Sequence, residues 1–486
     1  ALPPCRLAAY VPRTPQSSPS MLRRFALLGL GAVTLAVQLA AQVPRTERRR
    51  WIDSTTSTTD DPRRVPLPEY TTAPEGSIVL RGGRLWDGTG AAARPATVVI
   101  QRNRIAAVLA PGAANLPTGA TIIEVGGKTI MPGLIDLHTH LDYQEPGISN
   151  GRAWNEGDAA LRGMERLRYY IESGITTVRD VASMGDVPFT LKRWVTDGRI
   201  IGPRIFAAGA IISGLGGHGA EVDISTERPL PAAREAHGPD DWREAVREQF
   251  RKGADLIKVS SHFSDAEIKA AVDEAHDLGL KITADAETFY IERAVRAGID
   301  MIEHPLPRTD ETIRLMAERK VESDPTLVPY QIIFDQVGGY WGSSSRRFTF
   351  SRESILDMLK RLKGAGVKLG IGTDLVSNWF RYLPWPYHQE MRNFMAAGFS
   401  LSEVLQIATR VNAEMLDMGD RLGTIQVGKL ADVLVVDGKP DERLEDLGNV
   451  DTVIRDGRIQ VRSGQTVYPR HQPVTPPGRT GEKRVP

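Results

Sequence analysis

The sequence predicts an α/β protein, a TIM-like (β/α)8 barrel with a small β-sandwich domain built from both chain ends. Three observations carry this. The middle of the chain alternates eight short apolar strands with helical stretches. Several of those strands end in polar or ionisable residues, where a parallel barrel keeps its site. Short alternating strands punctuated by glycine lie on both sides of that middle.

Taken in order, residues 1–41 read as an upstream segment plus a signal peptide. Met21-Leu22-Arg23-Arg24 precedes an apolar stretch, Phe25 to Ala40, with small residues near its end. Cleavage is expected near Ala40 or Ala41 and the protein is expected to be exported, periplasmic or secreted. The alternative is a membrane anchor left uncleaved, although the stretch is short for a span. After cleavage no stable membrane span is expected. Residues 42–75, with RTERRR and STTSTTDD, form a polar linker. The composite β domain is expected over 76–130 and 418–469, the barrel over 131–417, and a Pro-rich disordered tail over 470–486.

The 486 residues carry 61 Lys plus Arg against 60 Asp plus Glu, so the net charge of +1 points to neither nucleic acid nor an anionic membrane as partner. A small-molecule substrate is the expected partner, and a homo-oligomer is compatible with the sequence. Cys5 is the only cysteine, which excludes an intrachain disulfide and a thiolate metal site.

The eight barrel strands are expected at Ile130–His138, Ile175–Asp180, Arg204–Ile212, Leu256–Ser260, Lys281–Glu287, Met301–His304, Val321–Thr326 and Lys368–Asp374. Ser264 with Glu267 and Ser400 with Glu403 have capping-box spacing and should each open a helix. The rival architecture is an open doubly wound sheet. No glycine-rich turn joins a strand directly to a helix, which argues against its dinucleotide-binding form.

Chemistry concentrates at the strand ends. In Ile135-Asp136-Leu137-His138-Thr139-His140 the two histidines stand two residues apart, so an extended backbone aims both imidazoles at one point. Strand four carries Lys258 in an apolar run, strand five carries Asp285, strand six ends in His304, and strand eight ends in Asp374. Each has a plain alternative: a salt bridge, a helix cap, a core histidine, a turn residue. Convergence of all of them on one barrel face points to a site. His218 in Gly214-Leu215-Gly216-Gly217-His218-Gly219 is either a pocket residue or a solvated loop histidine. His262 and Tyr330 are further candidates to meet substrate.

With these residues in view, the chain resembles the metal-dependent amidohydrolase superfamily over roughly residues 76 to 466, and most of all its prolidase-like branch. The motifs are PGLIDLHTH, ADLIKV, GIDMIEHP, GIGTD and GTIQVGKLADVLVVDG, with IISGLGGHGAE after strand three. The resemblance implies two divalent ions, Zn²⁺ first and Mn²⁺ or Co²⁺ as alternatives. His138, His140 and Asp374 would hold one, and a carboxylated Lys258 would bridge to a second held by His304. A water between the ions would be the nucleophile, and Asp374 would carry its proton to the leaving amine. His218 would contact the scissile carbonyl or a substrate carboxylate.

One position departs from this pattern. The resemblance implies a histidine in strand five where this chain has Asp285. A carboxylate still binds Zn²⁺, but it is anionic and suits harder ions.

The expected activity is hydrolysis of amide C–N bonds in dipeptides, Xaa-Pro or N-acyl amino acids. Alternatives are hydrolysis of a lactone, cyclic amide or phosphoester at the same site, or a weakened barrel that binds a ligand without turnover. Export makes a separate prediction: the mature protein begins near Gln42. Mass spectrometry that finds Met21 retained in cytosolic protein would overturn it.

Overall fold

The computed structural model describes residues 76–143, 155–220, 233–337, 351–376 and 378–469. The expected signal peptide, the 42–75 linker and the 470–486 tail lie outside these residues. Among the described residues no helix is long and apolar enough to cross a membrane.

Segments before and after the parallel middle meet in one nine-stranded sheet. Ser77–Leu85 pairs antiparallel with Arg94–Gln101 and parallel with Thr121–Glu124 and Thr129–Pro132. Val433–Val436 then pairs antiparallel with Thr129–Pro132, in the register Met131↔Leu434 and Ile130↔Val435. Val450–Arg455 and Arg458–Arg462 extend the sheet. Val433 and Val435 are apolar at alternate positions and so face one way. They join Leu80, Val98, Ile100, Ile130 and Ile454 in a buried cluster of their own.

The remaining strands pair in parallel. Leu134–Thr139, Ile175–Asp180 and Arg204–Ala207 form a three-stranded sheet. Leu256–Ser260, Lys281–Asp285, Met301–Glu303 and Glu322–Asp324 form the body of a six-stranded one. Parallel neighbours need long crossovers, and helices supply most of them. Helix Asp265–Asp277 starts on the Ser264–Glu267 capping box and helix Leu401–Gln406 on Ser400–Glu403, as their spacing predicts.

Strands five, six and seven are shorter than expected, Lys281–Asp285, Met301–Glu303 and Glu322–Asp324, and larger departures occur at three places. The run from Ile130 to His138 is two strands, split at Gly133: the first half belongs to the nine-stranded sheet and the second to the parallel set. A Cβ at Gly133 would lie 2.1 Å from Thr176 Oγ1, so only glycine lets the chain cross here. Strand three breaks at Gly209, which has φ +78°, into Arg204–Ala207 and Ile211–Ser213. Strand eight is met as single bridges, Leu369 to Ser323 and Leu375 to Thr139. Asn412 stitches this segment to strand one, because its amide donates to Ile135 O at 2.7 Å and Ile371 O at 2.9 Å and accepts from Ile371 N at 3.0 Å. Asn412 follows a wide π turn, Ile407–Val411, in a stretch whose spacing alone reads as one helix.

Glu390 is a buried carboxylate with a structural task. It accepts from the amides of Leu327 and Val328 at 2.9 and 2.8 Å, which open helix Leu327–Val337. Burial pushes its carboxyl up to about 7, against the pull of those amides. A folded value above the ordinary 4.5 means that the folded state holds the extra proton between the two. Stability from this group is full below about pH 4.5 and is lost as pH rises through about 7, by on the order of 3 kcal/mol. Glu390→Gln should flatten the difference between urea midpoints measured at about pH 5 and about pH 8. An unchanged difference would refute this.

Candidate metal centre

His138 and His140 close the Leu134–Thr139 strand and point the same way, as the two-residue period requires. Asp374 reaches them from strand eight, its own amide bonded to His138 O at 2.8 Å. Its Oδ1 lies 3.1 Å from His140 Nε2 and 3.5 Å from His138 Nε2. One ligand atom from each of the three can lie within 4.8 Å of the others.

The second nitrogen of each ring decides what the first can do. His138 Nδ1 is 3.1 Å from Glu303 Oε2, and His140 Nδ1 is 2.9 Å from Ala182 O. Both partners are acceptors, so both Nδ1 atoms carry the proton and both Nε2 lone pairs face Asp374. His138 Nε2 is buried with no hydrogen-bond partner among the described residues. A buried acceptor left open beside a second imidazole and a carboxylate fits a cation. Burial, aided by the charge of Lys258, holds His138 down to about 3, so its ring is neutral. Burial alone would raise Asp374, but its contacts with the imidazoles of His138, His140 and His304 outweigh it and hold the carboxyl below its ordinary range.

A second group stands beside the first. His304 Nδ1 is 2.7 Å from Thr326 Oγ1, and its Nε2 is 3.2 Å from Asp285 Oδ2. Asp285 is therefore at His304, as alternation along strand five requires. His218 also reaches Asp285, Nε2 to Oδ2 at 3.4 Å, so the glycine-rich loop delivers its histidine to the site. Lys258 is buried two residues before Ser260, the register partner of Asp285. Tyr330 packs edge-on to His304 at 6.0 Å. His262 turns to the loop instead, Nδ1 to Leu215 O at 3.2 Å.

The backbone is strained where these side chains leave their strands. His262, Thr288, His304, Thr326 and Asp374 have φ of +69°, +51°, +64°, +40° and +49°, and they follow strands four to eight in turn. Left-handed conformation at non-glycine residues costs on the order of 1–3 kcal/mol each and clusters at functional sites.

Three residues that the sequence reading leaves unassigned complete the centre: Arg179, Glu303 and Asp324. His138, Glu303 and Asp324 form a second candidate ligand group, all buried. Arg179 Nη2 donates to both Glu303 oxygens at 2.7 and 2.9 Å, and Thr283 Oγ1 donates to the same carboxylate. Burial opposes ionisation of Glu303, yet Arg179 and His138 hold it well below its ordinary range. Burial and the charge of Glu303 push Asp324 well above its own. The signal was present for Arg179, a charge inside the apolar strand ITTVRD, and Glu303 adjoins His304 in IEHP.

A family model described as the amidohydrolase family matches residues 129–460. Ochratoxinase of Aspergillus niger is 27% identical over 426 residues, 79% of this chain and 85% of that protein. A prolidase solved with N-methylphosphonate-L-proline is 30% identical, covering 80% of this chain and 100% of its own, with a TM-score of 0.69. A Xaa-Pro dipeptidase with methionine bound in its active site is 28% identical, covering 79% and 99%, also with a TM-score of 0.69.

Glu303→Gln tests the role of the carboxylate behind His138. It removes the acceptor charge that fixes the ring and leaves Arg179 unpaired. Metal content after dialysis against a limiting metal buffer should fall, with affinity lower by roughly 10–100-fold. Full retention would show that Glu303 does not set the ligand.

Proposed function

We propose, from the premise that this chain belongs to the amidohydrolase family and is a hydrolase acting on carbon–nitrogen bonds, that its substrates are dipeptides, Xaa-Pro among them, and N-acyl amino acids. The observation that carries a metal-dependent reading is the pair of histidines, each held by an acceptor at Nδ1 so that Nε2 faces Asp374. His138, His140 and Asp374 would hold one divalent ion. His304, Asp285 and a carboxylated Lys258 would hold the other, and Zn²⁺ is the proposed metal, with Mn²⁺ or Co²⁺ able to replace it. An ammonium cannot ligate a cation whereas a carbamate can, and Lys258 is buried on the strand whose Ser260 pairs in register with Asp285. When bound, such ions lower the pKa of water and polarise a carbonyl.

The side chains divide the remaining work. Asp374, held ionised, accepts the proton of the attacking water and delivers it to the leaving amine as the C–N bond breaks. His218 has its Nε2 beside Asp285 and is placed to donate toward the scissile carbonyl. Tyr330 walls the site behind His304. In the same reading the parallel strands complete one eight-stranded barrel over 134–417. The bridges from strand eight to strands one and seven, and Asp255 N to Ala207 O at 2.8 Å, support that closure. Residues 76–132 and 418–469 form the separate β domain, so the barrel begins at Leu134 after Gly133 rather than at Met131, and export follows from the leading segment.

The test combines metal replacement with a substrate panel. Chelation should abolish hydrolysis of dipeptides and N-acyl amino acids, and Zn²⁺, Mn²⁺ or Co²⁺ should restore it, with two ions per chain by elemental analysis. Asp374→Asn should lower kcat by about 10²–10⁴-fold in a folded protein. Full activity in metal-free protein, or turnover confined to lactones or phosphoesters, would overturn the proposal.

A further inference from the structure

A patch of exposed apolar surface borders the site. Leu215 and Phe289 are 67% and 56% exposed; Leu215 sits on the loop after strand three and Phe289 opens the helix Phe289–Ala297 after strand five. His262, on the loop after strand four, links the two sides. Its Nδ1 is 3.2 Å from Leu215 O, and its ring centroid is 6.0 Å from that of Tyr290. Phe289 packs on Tyr290 at 4.3 Å, and the Arg293 guanidinium lies over both rings at 5.0 and 5.7 Å.

This rim is built into place. Thr288, immediately before Phe289, has φ +51° and ψ −124°, and its amide is tied to Pro307 O at 3.0 Å. A Cβ at Gly214 would fall 1.9 Å from His262 O, so the Leu215 loop sits against the His262 loop only because Gly214 has no side chain. Backbone strain and a glycine-dependent approach hold three loops in one arrangement. The rim is also continuous with the centre. His218, three residues after Leu215, reaches Asp285, and Asp285 stands four residues before Phe289.

We infer that Leu215, His262, Tyr290 and Phe289 form the subsite for an aromatic or bulky apolar side chain of the amide substrate. The inference rests on the hydrolase reading above and narrows it. Such a side chain meets two exposed apolar residues and the faces of two rings, and its contact removes apolar area from water on both partners. Arg293 covers the aromatic pair and keeps the ring stack ordered. A substrate with a methyl in that place reaches none of this surface.

The experiment compares Phe-Pro with Gly-Pro and N-benzoylglycine with N-acetylglycine in the wild type, Phe289→Ser, Leu215→Ser and Phe289→Tyr. The ratio of kcat/KM, bulky over small, should fall about tenfold in each serine variant and stay near wild type in Phe289→Tyr. Leu215 lies in an exposed loop, so its variant serves even where Phe289→Ser fails to fold. Ratios unchanged in enzymes that turn over would overturn the subsite and leave the hydrolase reading intact. If the wild type cleaves none of the four compounds, the reading of dipeptides and N-acyl amino acids as substrates fails. Calorimetric binding of N-benzoylglycine against N-acetylglycine then judges the rim alone, and equal affinities would refute it.

Discussion

The buried ion pair of Arg179 and Glu303 is the constraint on which the rest of the structure turns. Both side chains are removed from water, which costs several kcal/mol per ion unless every polar atom finds a partner. Here the partners come from across the parallel strands. Arg179 donates to Leu137 O in strand one and to Met301 Sδ in strand six, and Asp324 of strand seven lies 3.5 Å away. Glu303 accepts from Thr283 in strand five and faces His138 in strand one. The pair therefore ties strand two to strands one, five, six and seven at once, and Glu303 does so against His138 of the histidine pair. Replacing Glu303 takes from Arg179 its bidentate partner and from His138 the acceptor at Nδ1 together.

Around that pair the site is assembled by close approach. A Cβ at Gly372 would lie 2.2 Å from Asp324 Oδ2 and 2.7 Å from His138 Cβ, so strand eight can press Asp374 against the histidines only through a residue without a side chain. The left-handed residues at successive strand ends then turn His304 and Asp374 inward over the same point. Asp285 is the chemical peculiarity of the arrangement. Its carboxyl lies between His218 and His304, at the place where the family resemblance implies a histidine ring.

What the sequence disclosed follows the range of each interaction. The two capping boxes were legible because a serine and a glutamate three residues apart settle their own hydrogen bonds. The pairing of His138 with His140, and the place of Asp285 on its strand, were legible from the two-residue period alone. Lys258, His304 and Asp374 stood out as ionisable residues in or at the ends of apolar strands, and the family resemblance gave them their expected role. Glu303 and Asp324 were not legible as partners of Arg179, because the chain separates them by more than a hundred residues and no local pattern names the contact. The split at Gly133 escaped for a different reason. The residues on both sides are apolar and buried, and which sheet each half joins is decided by Leu434 on one side and Ile175 on the other.

That split has a mechanical meaning. One residue separates a strand of the nine-stranded sheet from the strand that carries both histidines. A fluctuation that peels Thr129–Pro132 from Val433–Val436 pulls on Leu134 and, through it, on the imidazoles. The two layers then open as one cooperative unit, with amide hydrogens on both sides of Gly133 exchanging together and more slowly than those of the surface loops. Residues far from any reacting atom, such as Leu434 and Val435, thereby govern how long the centre stays assembled on heating.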